Sequence, residues 1–478
     1  MKFNIYRNIE LASSCNMCNL IIIDIDLLRY DAIDCIQSEE NTPNLCSFIK
    51  NTQSFQNHTV HSAYTKTSMS SFLTGLLPGD HNIWHEFSDI RDKIKSLSLP
   101  TILANKGYNT IFIGTNPHTL ASLFQDKALP IKIPWNDDLT KLYFPNQKSG
   151  PIFLYLYNED LHFPYIIKND FIFKYEPVSP IVNYPTTYKD YDALVEDYVA
   201  KEYKKIFKTT IINQNHKIFK NPQKNKKQIL SLFNKLYNTK NTDMLSFRWQ
   251  IFFEPVSSLI DINNKEHIDF LKNRYLLMLK NVDKKLEKII KLASSAEYSS
   301  NTVFILRSSH GEEFGDHGNL GHQNIFQEII HTPLYIKIPN KTGTIINAQT
   351  QDIDVFPTIL DILGIDHHFD IRGKSFANLN KYHDDNIIIQ DSKLKSAMIT
   401  TDKYKIFFVK DVISHIYSLQ NDPGEKNNLI NKVTKEQYEK FVHLFQVTSQ
   451  NNPSNNTLPK NPPIDKQTKD RLQKTGYF

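Results

Sequence analysis

No apolar run in this chain of 478 residues approaches the ~20 residues that a membrane-spanning helix needs, so stable membrane insertion is not expected. An excess of one charge is also lacking. Lys and Arg number 56 against 51 Asp and Glu, and the resulting +5 is too small over this length to imply a nucleic acid or a membrane surface as partner. Small anionic substrates remain open. Cysteine is scarce: Cys15, Cys18, Cys35 and Cys46 all fall in the first tenth of the chain. The Cys15-x-x-Cys18 pair has no second C-x-x-C to complete a zinc ribbon, which reads as reduced, structurally incidental thiols. The opening MKFNIYRNIELASSC has no continuous apolar core of the secretory kind, and Asp24 interrupts the first apolar run, Leu20 to Ile25. The expectation is a chain made and kept in the cytoplasm. No internal repeat is visible, and no feature sets an oligomeric state.

What is present is ordinary globular material, 40% hydrophobic with 12% aromatic residues, long enough for a large α/β domain with an appendage. Short apolar runs at 20–26, 110–114, 151–157 and 302–307 read as buried strands, and the patterns at 42–50 and 100–105 read as helices. Strands separated by helical segments predict an α/β fold: a mostly parallel central sheet flanked by helices. Residues 166–260 are less regular, and their basic, Asn-rich stretch 213–240 reads as a solvated insertion helix. Past Ile365 shorter strand-like runs (386–390, 404–409) and a helix at 435–445 suggest a small α+β subdomain. The expected division is a catalytic domain over 1–375 and a C-terminal subdomain over 376–478, with the Asn- and Pro-rich segment 450–463 as a linker.

Chemistry concentrates in four clusters. Asp24 and Asp26 share one face of the first strand, and two buried carboxylates are costly unless a cation pairs with them. The hydroxyl-rich Ala63–Gly75 stretch precedes a short helix stopping at Gly75; it reads either as capping or as a hydroxyl that meets an anion at a helix N-terminus. Tyr157 to Tyr165 follows a strand directly. The richest cluster, NTVFILRSSHGEEFGDHGNLGH from Asn301 to His322, runs a strand into three histidines and a group of carboxylates, as an active-site rim would.

These clusters resemble, in order, the motifs of sulfatase-like hydrolases of the alkaline phosphatase superfamily. Asp26-Leu-Leu-Arg29-Tyr-Asp31 resembles their D-x-L-R-x-D segment, and Thr65-Lys-Thr-Ser68 through Thr74-Gly75 their nucleophile segment. Asp160-Leu-His162-Phe-Pro164, Ser309-His310-Gly311-Glu312, Gly321-His322, Asp354-Val-Phe-Pro357 and Asp422-Pro423-Gly-Glu425 follow. The resemblance implies an alkaline phosphatase-like fold and a divalent metal (Ca, Mg, Mn or Zn) at the carboxyl edge of the sheet, on Asp26, Thr65, the 309 position and His310. Thr65 would be the nucleophile, activated by the metal or by a base. His162 and His322 would contact the ester oxygens or protonate the leaving group. Arg29, Lys66, Asp160 and Arg307 are expected at the substrate, a small anionic ester. Sulfatases proper oxidise a Cys or Ser to formylglycine; the methyl group on the Thr65 Cβ would give a ketone, so no formylglycine is expected and a phosphate ester is favoured over a sulfate.

One departure from the pattern carries weight. Ser309 stands where the family has a metal-binding aspartate, which weakens or abolishes the metal site. Asp24 and Arg307 are unusual too, and by alternation each shares a face with the site residue two positions on. Two accounts follow: Asp24 supplies the lost carboxylate as a metal ligand, or Asp24 pairs with Arg307 as a buried ion pair and little or no metal binds. The second needs no backbone shift. On either account the chain is an ester hydrolase or transferase with a remodelled site, or a degenerate relative that binds an anionic ligand or partner without turnover.

Overall fold

The computed structural model describes residues 10–12, 15–33, 35, 41–85, 88–114, 123–124, 150–166, 179–207, 220–237, 249–383, 385–391, 395–409 and 411–450. The expected linker beyond residue 450 and the tail lie outside them, as do 213–219 and 238–240 of the basic stretch. Within them the chain divides into two compact units, one of 1–161, 280–313 and 322–478, the other of 162–279 and 314–321.

The first unit holds a central sheet of seven strands. These are β1 (Asn19–Ile25), β2 (Gln53–Thr59), β3 (Asn109–Gly114), β4 (Ile152–Asn158), β5 (Thr302–Arg307), β6 (Leu334–Lys337) and β7 (Thr344–Gln351). Their spatial order is β3-β4-β1-β5-β6-β2-β7. The four strands β3, β4, β1 and β5 are parallel to one another, β6 runs antiparallel to β5 and β2, and β2 pairs parallel with β7. β1 (NLIIIDI), β4 and β5 are buried at every position, as continuous apolar runs of a parallel sheet should be.

Parallel strands end at one edge, so the residues following β1, β4 and β5 meet there: Asp26, Asn158 to Asp160, and Ser308 to His310. Two glycines set this edge. Gly311 passes so close to the Glu328 carbonyl that a Cβ there would lie 2.0 Å from its oxygen, and its N–H donates to Ile329 O at 2.7 Å. Only glycine permits that approach, which fixes the chain directly after His310. Gly75 closes the helix Thr65–Thr74 in the left-handed region (φ 68°), its N–H donating to Ser71 O at 2.9 Å.

A second, antiparallel sheet in the same unit runs β8 (Ile387–Gln390), β9 (Lys395–Ile399), β10 (Tyr404–Val409), β11 (Val412–Ser418). The helix Lys435–Gln450 packs on it, with the Phe445 ring stacked on Phe408 at 3.9 Å. The α+β character expected past 365 is therefore present.

The second unit is helical, with Tyr188–Phe207, Lys226–Tyr237 and the first half of Lys265–Ser294. Its buried Arg274 donates to Tyr165 O at 2.9 Å and lies over the Tyr184 and Phe270 rings; burial lowers its pKa to about 10.

The cysteines correct the sequence reading. They are paired, Cys15 with Cys18 and Cys35 with Cys46, each with Cα atoms 5.4 Å apart. Spacing alone does not reveal that Cys35, ahead of the helix Pro43–Ile49, meets Cys46 inside it; pairing depends on a distance that only the fold sets.

Candidate active site

Thr65 is the first residue of the helix that follows β2, and it is half-buried while the nine helical residues after it are buried. Its hydroxyl is the accessible end of an otherwise enclosed segment. The Thr65 Oγ1 lies 3.1 Å from His310 Nε2 and 3.3 Å and 3.4 Å from the two oxygens of Asp26. His310 Nδ1 sits 3.0 Å from the Gly311 carbonyl, which can only accept. That bond places the proton of the neutral ring on Nδ1 and leaves Nε2 as an acceptor facing the threonine hydroxyl. Hydroxyl, imidazole and the carbonyl that orients the ring are thus in hydrogen-bond reach in sequence, Thr65 to His310 to Gly311.

Asp26 is ringed by three hydroxyls. Ser309 Oγ donates to its Oδ1 and the Tyr157 hydroxyl to its Oδ2 at 2.8 Å, while the single Thr65 proton is in reach of both Asp26 and His310 Nε2 and goes to one or the other. Burial and the neighbouring Asp26 hold the Tyr157 phenol well above its ordinary pKa, so it remains a donor. His322 lies against His310 with ring centroids 4.5 Å apart, its Nδ1 2.9 Å from the Ala63 carbonyl. Ser308, buried behind them, accepts from the Leu28 N–H at 3.0 Å and donates to His310 O at 2.7 Å, tying the loop after β1 to the loop after β5.

Beneath this layer is a cluster that the alternation of β1 and β5 anticipates in part. Asp24 and Arg307 are direct register partners on adjacent strands, and both side chains are fully buried. Arg307 Nη1 donates to Asp24 Oδ2, which also accepts from the Tyr155 hydroxyl at 2.5 Å. Arg307 Nη2 donates to Asp352 Oδ2 at 2.8 Å, and the guanidinium lies 4.3 Å from the centre of the Phe72 ring. Asp352 in turn meets His58 Nε2 at 3.1 Å. One guanidinium between two carboxylates leaves a surplus negative charge in a dry site. Burial pushes Asp24 up to about 6 against the pull of Arg307, whereas at Asp352 Arg307 and His58 outweigh burial and lower its pKa. Burial opposes charge on Arg307, but the two carboxylates more than compensate and raise its pKa.

This geometry bears on two of the expected roles. Arg307 and Tyr155 both bond Asp24 through Oδ2, so the Asp24 carboxylate is part of the buried ion pair. Arg307, with no exposed surface, cannot touch a substrate. Three further residues expected at the substrate are engaged elsewhere: Arg29 with Asp31 and with Glu312 O (2.9 Å), Lys66 with Ser88 O (2.7 Å), and Asp160 with Lys285 (2.6 Å) and Asn158 (3.0 Å). His162 is exposed and belongs to the second unit, its Nδ1 3.0 Å from Phe163 O. The residues the fold does bring together are Asp26, Thr65, His310 and His322. Sequence reasoning missed Tyr155, Asp352 and His58. Tyr155 had a signal, since it alternates with Tyr157 on β4; Asp352 and His58 are contributed by elements whose proximity to β5 no motif encodes.

The donor set fits a divalent metal poorly. Ca²⁺ takes 6–8 oxygens, commonly several carboxylates, and Zn²⁺ favours imidazole, thiolate and carboxylate over neutral hydroxyls. At the family's metal position stand one carboxylate (Asp26), one imidazole (His310) and two neutral hydroxyls (Thr65, Ser309), of which Ser309 donates to that carboxylate.

Comparison with known proteins agrees with the fold and with the resemblance to sulfatases. The Sulfatase family pattern matches residues 18–365, and that of the N-sulphoglucosamine sulphohydrolase C-terminal region matches 315–450. An N-acetylglucosamine-6-O-sulfatase of Bacteroides thetaiotaomicron is 26% identical over 212 residues, 41% of this chain and 37% of that protein. Human arylsulfatase K is 24% identical over 189 residues, 34% of each. The matched regions span about a third of the length of these curated relatives. Among solved structures, a complex with the substrate D-glucosamine-2-N,6-O-disulfate superposes with TM-score 0.62 at 16% identity, over 92% of this chain and 100% of the other. The phosphonate monoester hydrolase of Agrobacterium radiobacter superposes with TM-score 0.59 at 16% identity, over 93% and 100%. With a pattern match over well more than half of its length and an alkaline phosphatase-like sheet to carry it, the chain belongs to the sulfatase family of hydrolases.

Proposed function

We propose that the chain is an ester hydrolase or transferase in which Thr65 attacks a phosphate or phosphonate ester, with a sulfate ester as the poorer substrate. The single observation that carries this reading is the contact of Thr65 Oγ1 with His310 Nε2 at 3.1 Å, with His310 Nδ1 held by Gly311 O. In the reaction the Thr65 proton passes to His310 Nε2 as the Thr65 oxygen bonds to phosphorus; the ester P–O bond breaks and the leaving oxygen takes the proton back from His310. Water or an acceptor alcohol then releases the phosphoryl group from Thr65. His322, against His310, contacts the ester oxygens, and the N-terminus of the helix Thr65–Thr74 favours the negative charge there. Formylglycine has no place in the scheme, because Thr65 carries a methyl group at the carbon that would be oxidised.

A second reading is favoured by the ring of hydroxyls that Ser309, Tyr157 and Thr65 place around Asp26. A carboxylate so engaged suits a site that holds an anionic ligand without turning it over. The two disulfides favour an oxidising compartment over the cytoplasm expected from the N-terminal sequence.

The test is hydrolysis of aryl phosphate, phosphodiester, phosphonate and sulfate esters by the purified chain and by Thr65→Ala. Turnover that the substitution abolishes supports the enzyme. No turnover on any ester, with phosphate or sulfate binding retained by Thr65→Ala, establishes the binding protein instead.

A further inference from the structure

We propose that Arg307 is the resident cation of this site and that fold and site are assembled without a divalent metal. Three positions that depart from the family's pattern make the case. Ser309 takes the carboxylate away from the metal position and turns its hydroxyl onto Asp26. Arg307, two residues earlier on the same strand, brings a fixed positive charge, and Asp24, its register partner, brings the carboxylate that balances it. The family's metal holds the segments of the site together by taking ligands from several of them. Here the guanidinium does so: it bonds Asp24 on β1 and Asp352 at the start of the helix Asp352–Ile362, and it reaches Ser68 Oγ at 3.4 Å and the Phe72 ring on the helix that begins with Thr65. Ser68 then donates to the Ser309 carbonyl at 2.6 Å, which carries the tether back to the strand end. Guanidinium geometry suits this work, since its planar fork serves two carboxylates at once and it does not deprotonate. Arg307 is thus a positioning residue for Thr65 and Ser309, and unlike an ion it cannot dissociate.

The inference rests on the proposed Thr65 chemistry only for its bearing on catalysis, and its test does not require turnover. The purified full chain is analysed for bound divalent metals, and its Tm is measured after EDTA treatment and again with millimolar Ca²⁺, Mg²⁺, Mn²⁺ or Zn²⁺. The expected result is metal well below one equivalent and a Tm that neither EDTA nor any of the four ions shifts. About one equivalent of a divalent ion that EDTA strips with a fall in Tm would overturn the proposal, whether or not the protein turns over an ester. The double variant Ser309→Asp/Arg307→Thr supplies the converse: its Tm should rise with one of these ions where the wild type's does not. A folded double variant indifferent to all four ions counts against Arg307 as the replacement; if the variant does not fold, the wild-type measurement decides.

Discussion

Asp24 and Arg307 face each other as register partners on β1 and β5, and their ion pair lies wholly inside the sheet with a second carboxylate, Asp352, on the far side of the guanidinium. A buried ion pair gains little net stability from its own Coulomb energy, because desolvating both partners opposes it. Breaking it from one side is another matter.

Arg307→Met strips the cation and leaves Asp24 and Asp352 buried without it. The expected loss is about 3–5 kcal/mol of unfolding free energy, measured by urea denaturation. Asp24→Asn should cost less, since Asp352 still balances Arg307 and the amide oxygen can still accept from Tyr155. Equal losses for the two substitutions would contradict this account of the cluster.

Thr65→Ala should abolish turnover with little change in Tm, because Thr65 is half-buried at the first turn of its helix and its packing load is small. Thr65→Ser keeps the hydroxyl and should retain measurable activity. His310→Ala should lower kcat by about 10²–10⁴-fold, the usual range for a general base, and steady-state kinetics on the best aryl ester checks all three.

The substrate's charge should matter in a particular direction. Arg307 is balanced by its two carboxylates, and Asp26 stands beside Thr65, so a dianionic ester meets more repulsion than a monoanionic one. Phosphodiesters and phosphonate monoesters should therefore exceed phosphate monoesters in kcat/KM at pH 8. The gap should narrow as pH falls through about 6, where a phosphate monoester dianion takes up one proton and becomes a monoanion. A fixed ratio across that range rules the argument out.

Buried histidines give stability a pH dependence that one substitution can isolate. Burial lowers His81 to about 3, and the ring is neutral where its Nδ1 accepts from the Ile83 N–H at 3.0 Å. A histidine depressed below its ordinary 6.5 contributes stability that is full above that value and is lost as pH falls from 6.5 toward about 3. Asp354, raised to about 7, acts oppositely, losing its contribution as pH rises from 3.8 toward that value, so the wild-type curve alone is a balance of signs. The difference in Tm between wild type and His81→Gln should be largest near pH 7 and shrink steadily toward pH 4.

The four parallel strands β3, β4, β1 and β5 are legible because they are largely apolar runs, 302–307 matching Thr302–Arg307 and 20–26 Asn19–Ile25; β2, β6 and β7 are not, since QSFQNHT and TIINAQTQ are largely polar and LYIK is only four residues long. Period-two alternation also placed Asp24 with Asp26 and Arg307 with Ser309, which holds regardless of what surrounds the strands. Motif order supplied the site's core, Asp26, Thr65, His310 and His322. The limit was reached wherever an outcome depended on distance between remote segments. Cys35 and Cys46 looked like incidental thiols until the fold set their Cα atoms 5.4 Å apart. That Arg29 bonds Asp31 and Lys66 bonds the Ser88 carbonyl is likewise visible only in the fold.

By itself, then, the sequence determined the α/β class, the four parallel strands, and the placing of Asp24 with Asp26 and of Arg307 with Ser309 on one face each, because burial and alternation are local properties of the chain. Tertiary structure alone decided that β1 and β5 lie side by side in the register that puts Asp24 opposite Arg307, and that Asp352 closes the cluster from another helix. A carboxylate binds whichever cation is nearest, and nearness between residues 24, 307 and 352 exists only after the chain has folded.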